Sequence, residues 1–391
     1  MPDPRVLPRS EARDTLERAW PVAMLTTYPS LTGSVGGVAD YAKALVDALR
    51  ERNRHVGTIV LAQRRPRPAG VSVVPAWRPG LMGLSLLRQL LDRNAIGLLH
   101  IQHEPLLYGL AGALRMLRLP RLAHRRGARC VVTLHAVPYP WVMNGGTQPR
   151  WFLLLCRVFL RYVRCLARDV DAFVVHEPGQ REVLESAGIP PRKITLIPHG
   201  ITTSRASGTR RSPAFTVGTF GYLSAYKDLD FLLSEFTLFR SRFPKTRLLF
   251  SLSPHPFRQG PVSRRKYRHT MQRAANLPGV TTMGHIPESE LPGFLETCDV
   301  MVAPHRSLVS SSGVFARAAG AGVATLVPEG SALPLELSHW MYRYAPGGLA
   351  AALERFEGRV ADASAQASAL AANRSWERIA TMHYDLYQRL A

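Results

Sequence analysis

Carboxylates are scarce in this chain. Its 391 residues hold 28 Asp and Glu against 50 Lys and Arg, a formal net charge of +22. Two long windows have no acid at all. Pro105 to Arg168 contains eleven arginines, and Phe236 to Pro287 contains ten Lys or Arg. Acid depletion confined to windows builds a positive field that draws anions. Three kinds of anion fit: nucleic acid, an anionic membrane, or a phosphorylated small molecule. Cysteines are also few. Cys130, Cys156, Cys165 and Cys298 lie far apart, with neither metal-ligand spacing nor a disulfide framework, which suits a reducing cytosol. No apolar run reaches the roughly 18 residues of a spanning helix. The nearest, WFLLLCRVFLRYVRCLA, is interrupted by arginines. The opening MPDPRVLPRSEARDTLERAW lacks the apolar stretch of a signal peptide, so a cytoplasmic location is expected. Repeats and low-complexity tracts are absent.

The chain does have enough apolar residues, 46%, for a full core. Short apolar runs rich in β-branched residues alternate with helical periods. Strands are expected at 22–28, 56–63, 97–102, 130–135, 171–176 and 193–198, with an amphipathic helix from Ala39 to Arg54. TTSRASGTRRSP (202–213) is polar and reads as a linker. The alternation restarts after it: FTVGTFGY, a helix from Asp228, TRLLFSLS, a basic helix from Ser263, GVTTMG, DVMVAP and GVATLVP. SWERIATMHYDLYQRLA reads as a closing helix. This pattern implies α/β architecture with two doubly wound, Rossmann-like domains.

Ligands of such sheets bind beyond the carboxyl ends of the strands, and unusual residues collect there. Gly36 and Gly37 open a helix after the first strand. They serve equally as a tight turn or as N–H donors to an anion. The pattern is not GxGxxG, and no acid follows at the distance a dinucleotide ribose needs, which excludes a dinucleotide fingerprint. His103, Glu104 and His135 end two further strands. A carboxylate beside imidazoles can orient a hydroxyl or move a proton. No third metal ligand is placed by spacing, so no metal is expected. In the second half Lys227 stands at a helix entry, where an ammonium neutralises a diphosphate. Ser310, Ser311, Ser312 and Gly313 precede a helix of small residues and offer hydroxyls and N–H groups to a second phosphate. Each of these features also has an ordinary structural role, as a helix cap or a solvated lysine.

Taken in order, GGVADYAKALVDALRERNRHV, IQHEPLLYG, VVTLHAV, DAFVVHEPGQREVLESAGIPPRKITLIPHGI, FGYLSAYKDLDFLL and the closing SWERIA segment resemble a retaining glycosyltransferase of GT-B fold, glycosyltransferase family 4. The resemblance implies two Rossmann-like domains facing a central cleft. An acceptor domain is expected over residues 1–205, a nucleotide-sugar domain over 214–375, and a helix over 376–391 that crosses back. It implies transfer of a hexosyl unit from a nucleotide-diphosphate sugar to an acceptor hydroxyl with retention, without a metal or other cofactor. Lys227 would contact the donor diphosphate. Gly37 would approach the donor sugar and phosphate, and His135 would contact the sugar near the reacting carbon. Donor binding would also involve Gly36, Tyr222, Ser311, Ser312 and Gly313. His103 and Glu104 would lie on the acceptor side, and Glu104 joins His135 and Lys227 as a catalytic candidate.

Two departures from the family pattern stand out. Many members carry an arginine five residues before the lysine, where this chain has Tyr222. Many also carry E-x7-E in the stretch here written HRSLVSSSGVFARAAGAGVATL, which has no carboxylate. One branch of the family reads SSG and GAG at this place, so the change is expected to be a lineage variant. A non-catalytic GT-B partner protein, an epimerase and a phosphorylase are the other readings. No nucleic-acid-binding signature appears, and the basic windows are not interleaved with aromatics. The nucleotide sugar is therefore the expected partner, with an anionic or membrane-presented acceptor. Arginines 150, 157, 161, 164 and 168 recur at helical spacing opposite Trp151, Phe152, Leu155, Phe159, Val163 and Leu166. That helix either lies on anionic lipid, a peripheral contact, or packs on the sheet with a solvated basic face. The packed arrangement is the primary expectation.

Overall fold

The structure, a computed structural model, describes residues 21–28, 37–52, 58–63, 72–77, 89, 92, 96–104, 107–138, 150–204, 214–224, 227–254, 260–287, 289–305, 313–329 and 342–391. The chain divides into two compact units. Unit 1 comprises Met1–Pro138, Leu154–His199 and Trp376–Ala391; unit 2 comprises Tyr139–Leu153 and Gly200–Ser375.

The chain begins with β1 (Val22–Leu25), α1 (Gly37–Arg52), β2 (Thr58–Gln63), β3 (Ser72–Trp77), β4 (Leu98–His103), α2 (Gly109–Met116), α3 (Leu119–His124) and β5 (Arg129–Leu134). α4 (Arg150–Leu166), β6 (Ala172–Val175), α5 (Pro178–Ser186) and β7 (Ile194–Leu196) follow. The next series is β8 (Thr216–Thr219), α6 (Leu229–Arg242), β9 (Arg247–Ser251), α7 (Pro261–Ala275), β10 (Val280–Met283), α8 (Leu291–Glu296), β11 (Val300–Val302), α9 (Gly313–Gly320), β12 (Thr325–Pro328) and β13 (Arg343–Tyr344). It ends with α10 (Leu349–Glu357) and α11 (Val360–Asn373). The last helix, α12 (Trp376–Leu390), belongs to unit 1.

Unit 1 is built on a parallel sheet in the order β3-β2-β1-β4-β5-β6-β7, and unit 2 on a parallel sheet in the order β10-β9-β8-β11-β12-β13. Both orders reverse direction beside their first strand, between β1 and β4 and between β8 and β11. These reversals are the topological switch points where open α/β sheets hold ligands. Central strands buried on both faces need continuous apolar runs. β1 (VAML) and β6 (AFVV) are fully buried accordingly. β4 is buried throughout although it reads LLHIQH, so His100 and Gln102 need partners inside the protein.

The core of unit 1 lies between the sheet and the α1 and α12 helices. Val22, Met24, Val131 and Val174 meet Tyr41, Leu45 and Leu49 of α1 and Ile379, Ala380 and Leu386 of α12. In unit 2, Phe236 and Phe239 of α6 pack with Leu248, Phe250, Val300 and Leu326 from the strands and Leu353 and Phe356 of α10. Local signals start the helices. Asp228 caps α6 by accepting from the Phe231 N–H at 3.3 Å. α5 opens with a capping box of Glu177 and Gln180, with Pro178 in its first turn.

Three elements differ from the sequence expectation. β3 has no counterpart in it, because SVVPAW contains Pro75 within a Pro- and Arg-rich stretch. A proline is tolerated there because β3 is an edge strand. The two-residue β13 is too short to give a periodic signal. Thr202, Thr203 and Ser204, which read as the start of a linker, are part of unit 2. The Ile201 N–H donates to the Arg374 carbonyl at 2.8 Å, and the Ser204 N–H donates to the Gly320 carbonyl at 2.9 Å.

Candidate functional site

The switch point of unit 2 is closed by two loops that interlock. After β8 the chain passes through Gly221 and Tyr222 to Lys227; after β11 it passes through Ala303 and Pro304 to His305. Lys227 and His305 form an isolated antiparallel bridge. The Asp228 N–H donates to the Pro304 carbonyl at 2.6 Å. On the other side, the Leu223 N–H donates to the Ser253 carbonyl at 2.8 Å, and the Ser253 N–H to the Gly221 carbonyl at 3.0 Å. Ser253 Oγ lies 3.3 Å from His285 Nδ1. Main-chain bonds thus fix the loop on both flanks.

Lys227 Nζ folds back and donates to the Phe220 carbonyl at 3.3 Å. Its pKa is lowered from 10.5 to about 8 by burial alone, with no carboxylate contributing. Gly221 makes this position accessible. Its φ is 125°, a left-handed conformation, and a Cβ there would lie 2.5 Å from Lys227 Nζ. His305 is held at about 3, first by burial and then by the charge of Lys227, so its ring is neutral. Among the described residues no carboxylate forms an ion pair with this desolvated cation, and that of the neighbouring Asp228 caps α6 instead.

Unit 1 carries a buried polar network on one face of its sheet. His100 and Gln102 are two residues apart on β4 and share a face. His100 Nδ1 lies 2.7 Å from Tyr387 Oη of α12, and its Nε2 lies 2.7 Å from Thr133 Oγ1. The Gln102 amide lies 3.2 Å from His100 Nε2 and 2.8 Å from His135 Nε2. His135 Nδ1 lies 3.4 Å from His176 Nε2, and His176 Nδ1 donates to the Ile197 carbonyl at 2.9 Å. Burial lowers the pKa of both His100 and His135, and neighbouring imidazoles lower it further. The partners then order the protons. The Ile197 carbonyl requires a proton on His176 Nδ1, so a neutral His176 accepts at Nε2 and His135 donates from Nδ1. The structure places Gln102 Oε1 at His135 Nε2 and its NH₂ at His100 Nε2; turning the amide over lets His135 Nε2 accept from the NH₂ and keeps every ring neutral. The unturned amide puts a second proton on His176, which burial opposes. Tyr41 of α1 packs edge-on against His135 at 4.7 Å, with His176, His199 and Trp376 each at 5.1 Å. Gln180 adds a backbone clamp, its Oε1 accepting from the His176 N–H at 2.7 Å.

His103 does not join this network. It is the next odd position on β4, so it faces the other side of the sheet, against Phe159 and Tyr162 of α4 at 6.2 and 5.5 Å. His103 and His135 thus stand at the same edge of the sheet, on strands joined there by the His135 N–H to the His103 carbonyl at 2.9 Å, but their side chains leave on opposite faces. Glu104 is half-buried at the end of β4, and burial raises its pKa. Gly37 opens α1 and Gly313 opens α9; both are exposed, with open space where a Cβ would stand. Tyr222 is 41% exposed at the edge of unit 2. Gly36, Ser310, Ser311 and Ser312 lie outside the described residues. Among the described residues no three His, Cys, Asp or Glu side chains are grouped to hold a metal.

With both edges described, the chain can be set beside known proteins. Residues 35–205 match the model of Glycosyltransferase Family 4. Solved structures of GT-B glycosyltransferases superpose on nearly the whole chain. HepE of Anabaena in complex with UDP-glucose is 14% identical, with a TM-score of 0.66 over 94% of this chain and 99% of HepE. Sucrose-phosphate synthase of Thermosynechococcus elongatus is 16% identical, with a TM-score of 0.71 over 95% of this chain and 99% of that one. Trehalose-6-phosphate synthase, OtsA, is 12% identical, with a TM-score of 0.70 over 95% and 99%. No curated protein matches the chain in sequence. The fold is thus the two-domain, Rossmann-like α/β fold of these enzymes.

Sequence reading missed Tyr41, His100, Gln102, His176, His305 and His383. For His100 and Gln102 a signal existed. LLHIQH is a strand in an apolar context, and polar residues at alternate positions of a buried strand imply an internal network. His383 and Tyr41 gave none, because each is an ordinary helical residue until α1 and α12 are packed against each other, which brings their side chains within 3.4 Å.

Proposed function

We propose that this protein is a glycosyltransferase that takes a sugar from a nucleotide-diphosphate donor held by unit 2 and passes it to an acceptor hydroxyl with retention. The observation that carries this reading is Lys227 at the β8/β11 switch point. Lowering its pKa from 10.5 to about 8 corresponds to about 3 kcal/mol against the charged form. A diphosphate beside Nζ would offset that cost. It would offset it more as negative charge builds on the departing nucleotide, which is how an electrostatic catalyst favours the transition state. The α9 N-terminus at Gly313 supplies a second anion-seeking element on the same edge. HepE has been solved with UDP and with UDP-glucose, and a uridine nucleotide is the first donor class to assign to this chain.

The carboxyl edge of unit 1 is assigned to the acceptor. Glu104 holds its proton more readily than an exposed carboxylate and can orient a hydroxyl. His135 has both ring nitrogens engaged by Gln102 and His176. Its role is to present a fixed ring edge to the sugar rather than a free base. Deprotonation of the acceptor then falls to the leaving diphosphate oxygen, which Lys227 holds in place. The chemistry asks for positioning and charge stabilisation, and the residues at both edges supply those.

A panel of UDP-, GDP- and dTDP-sugars scored by thermal stabilisation tests the assignment. A donor at a hundred times its Kd adds about 2.7 kcal/mol to apparent stability. One nucleotide class should raise the melting temperature of the parent and leave Lys227→Ala unmoved. A shift retained in full by Lys227→Ala would remove the diphosphate site from the account.

A further inference from the structure

Helix α4 exposes the wrong residues for a helix that only covers a sheet. Its buried face is Cys156, Val163 and Leu166. On its outer face Leu154 is 60% exposed, Leu155 56% and Val158 58%. Leu155, expected from the sequence to pack inward, is among them. Arg157, Arg161 and Arg164 are exposed beside these side chains. At 3.6 residues per turn the three arginines form one row, and Leu154, Val158 and Leu155 form the strip next to it. The neighbouring helix α2, joined to α4 through Tyr162 Oη and Met116 Sδ at 3.7 Å, exposes Leu114 to 60%. Four of the eight large hydrophobic residues most exposed on the described surface therefore fall within the acid-free window.

We infer that this face of unit 1 docks on an anionic phospholipid surface, with Leu154, Leu155 and Val158 entering the interface and the arginine row meeting the headgroups. The argument rests on the pairing of two features. Arginine alone suits any polyanion, but nucleic-acid backbones are bound by charge and stacking, and the described exposed side chains of this strip, Leu154, Leu155 and Val158, are all aliphatic. Aliphatic exposure alone suits a second copy of the chain. A symmetric contact, however, would set arginine against arginine, with no Asp or Glu between Pro105 and Arg168 to relieve it. An amphipathic helix with a basic row and an aliphatic strip lies in the plane of an anionic interface. Among the described residues no helix is long and apolar enough to cross a membrane, so the contact is a surface one. This inference stands apart from the assigned chemistry, because it uses no residue of either edge.

Co-sedimentation with vesicles of equal parts phosphatidylglycerol and phosphatidylcholine tests it, with phosphatidylcholine alone as the reference. The parent chain should pellet with the anionic vesicles at low salt and stay in solution with the neutral ones. Each arginine near the surface contributes about fivefold to partition. The triple variant Leu154→Ser, Leu155→Ser, Val158→Ser should weaken partition by about tenfold or more through lost apolar burial. Arg157→Glu with Arg161→Glu, confined to exposed side chains, gives an independent loss if the triple variant does not fold. Absence of pelleting at low salt would overturn the inference. So would pelleting untouched by the triple variant, which would mark mere charge attraction. Competition by duplex DNA for a face that vesicles do not occupy, or a concentration-dependent dimer abolished by the triple variant, would assign the face to those partners instead.

Discussion

Replacing His103 by leucine should stabilise the protein in acid and nowhere else to the same degree. His103 is 3% exposed, packed between β4 and the Phe159 and Tyr162 rings. Burial lowers its pKa from 6.5 to about 4. The folded state therefore binds this proton less readily than the unfolded chain does. Stability from this group is complete above pH 6.5 and declines as pH falls through the window between 6.5 and 4. At pH 5.5 the loss is about 1.4 kcal/mol, and below pH 4 it reaches about 3 kcal/mol. Leucine has similar volume and no proton to gain, so His103→Leu should remove that share of the acid sensitivity. The assay is urea denaturation of parent and variant at pH 7.5 and 5.5. Taking the difference between the two chains at each pH cancels the titrating groups that His103 does not influence, and leaves only its smaller effect on His135. The difference should grow by about 1.4 kcal/mol toward pH 5.5. Parallel curves at the two pH values would refute the reasoning, since they would mean that His103 titrates alike in folded and unfolded chains.

Other consequences are simpler to state. Tyr387→Phe deletes the hydroxyl 2.7 Å from His100 Nδ1 and leaves that buried nitrogen unserved. It should cost about 1–3 kcal/mol in chemical denaturation. Gly320→Ala drives a methyl group into the Thr202 carbonyl, a backbone atom that cannot swing aside. A loss of about 1–3 kcal/mol in the same denaturation assay is expected, against a negligible effect at the open Gly37. Gly221→Ala, where φ is 125° and Lys227 Nζ occupies the space, should displace the ammonium and abolish thermal stabilisation by a nucleotide sugar without unfolding unit 2.

Much of this architecture is legible before any coordinates. The strand–helix alternation and the apolar runs at β1, β5 and β6 come from burial on both sheet faces, which leaves a strong one-dimensional pattern. The strand-end position of Lys227 is legible for the same reason, because a lysine directly after a buried strand falls at the ligand edge of the sheet. Its loss of solvent is not legible, since that depends on the left-handed Gly221 and on a loop contributed by the residues before His305. The histidine network is only half visible. HIQH announces His100 and Gln102, but His383 and Tyr387 reach His100 across more than 280 positions of sequence. The separation of His103 from His135 follows from strand alternation and could have been read from the sequence. Leu155 was misplaced because helical spacing alone gives two apolar arcs on α4, and only packing decides which of them is buried.

The central claim is that Lys227 carries the charge that holds a diphosphate. Calorimetric titration with UDP at pH 7 and pH 9 tests it most directly. With a pKa of about 8 in the free protein, the ammonium is mostly charged at pH 7 and mostly neutral at pH 9, so affinity should fall about tenfold between them. Lys227→Arg keeps its charge over this range and should lose that dependence, so drift from the nucleotide itself would appear in both proteins. Equal affinity at the two pH values in the parent, or UDP binding undiminished in Lys227→Ala, would contradict the account.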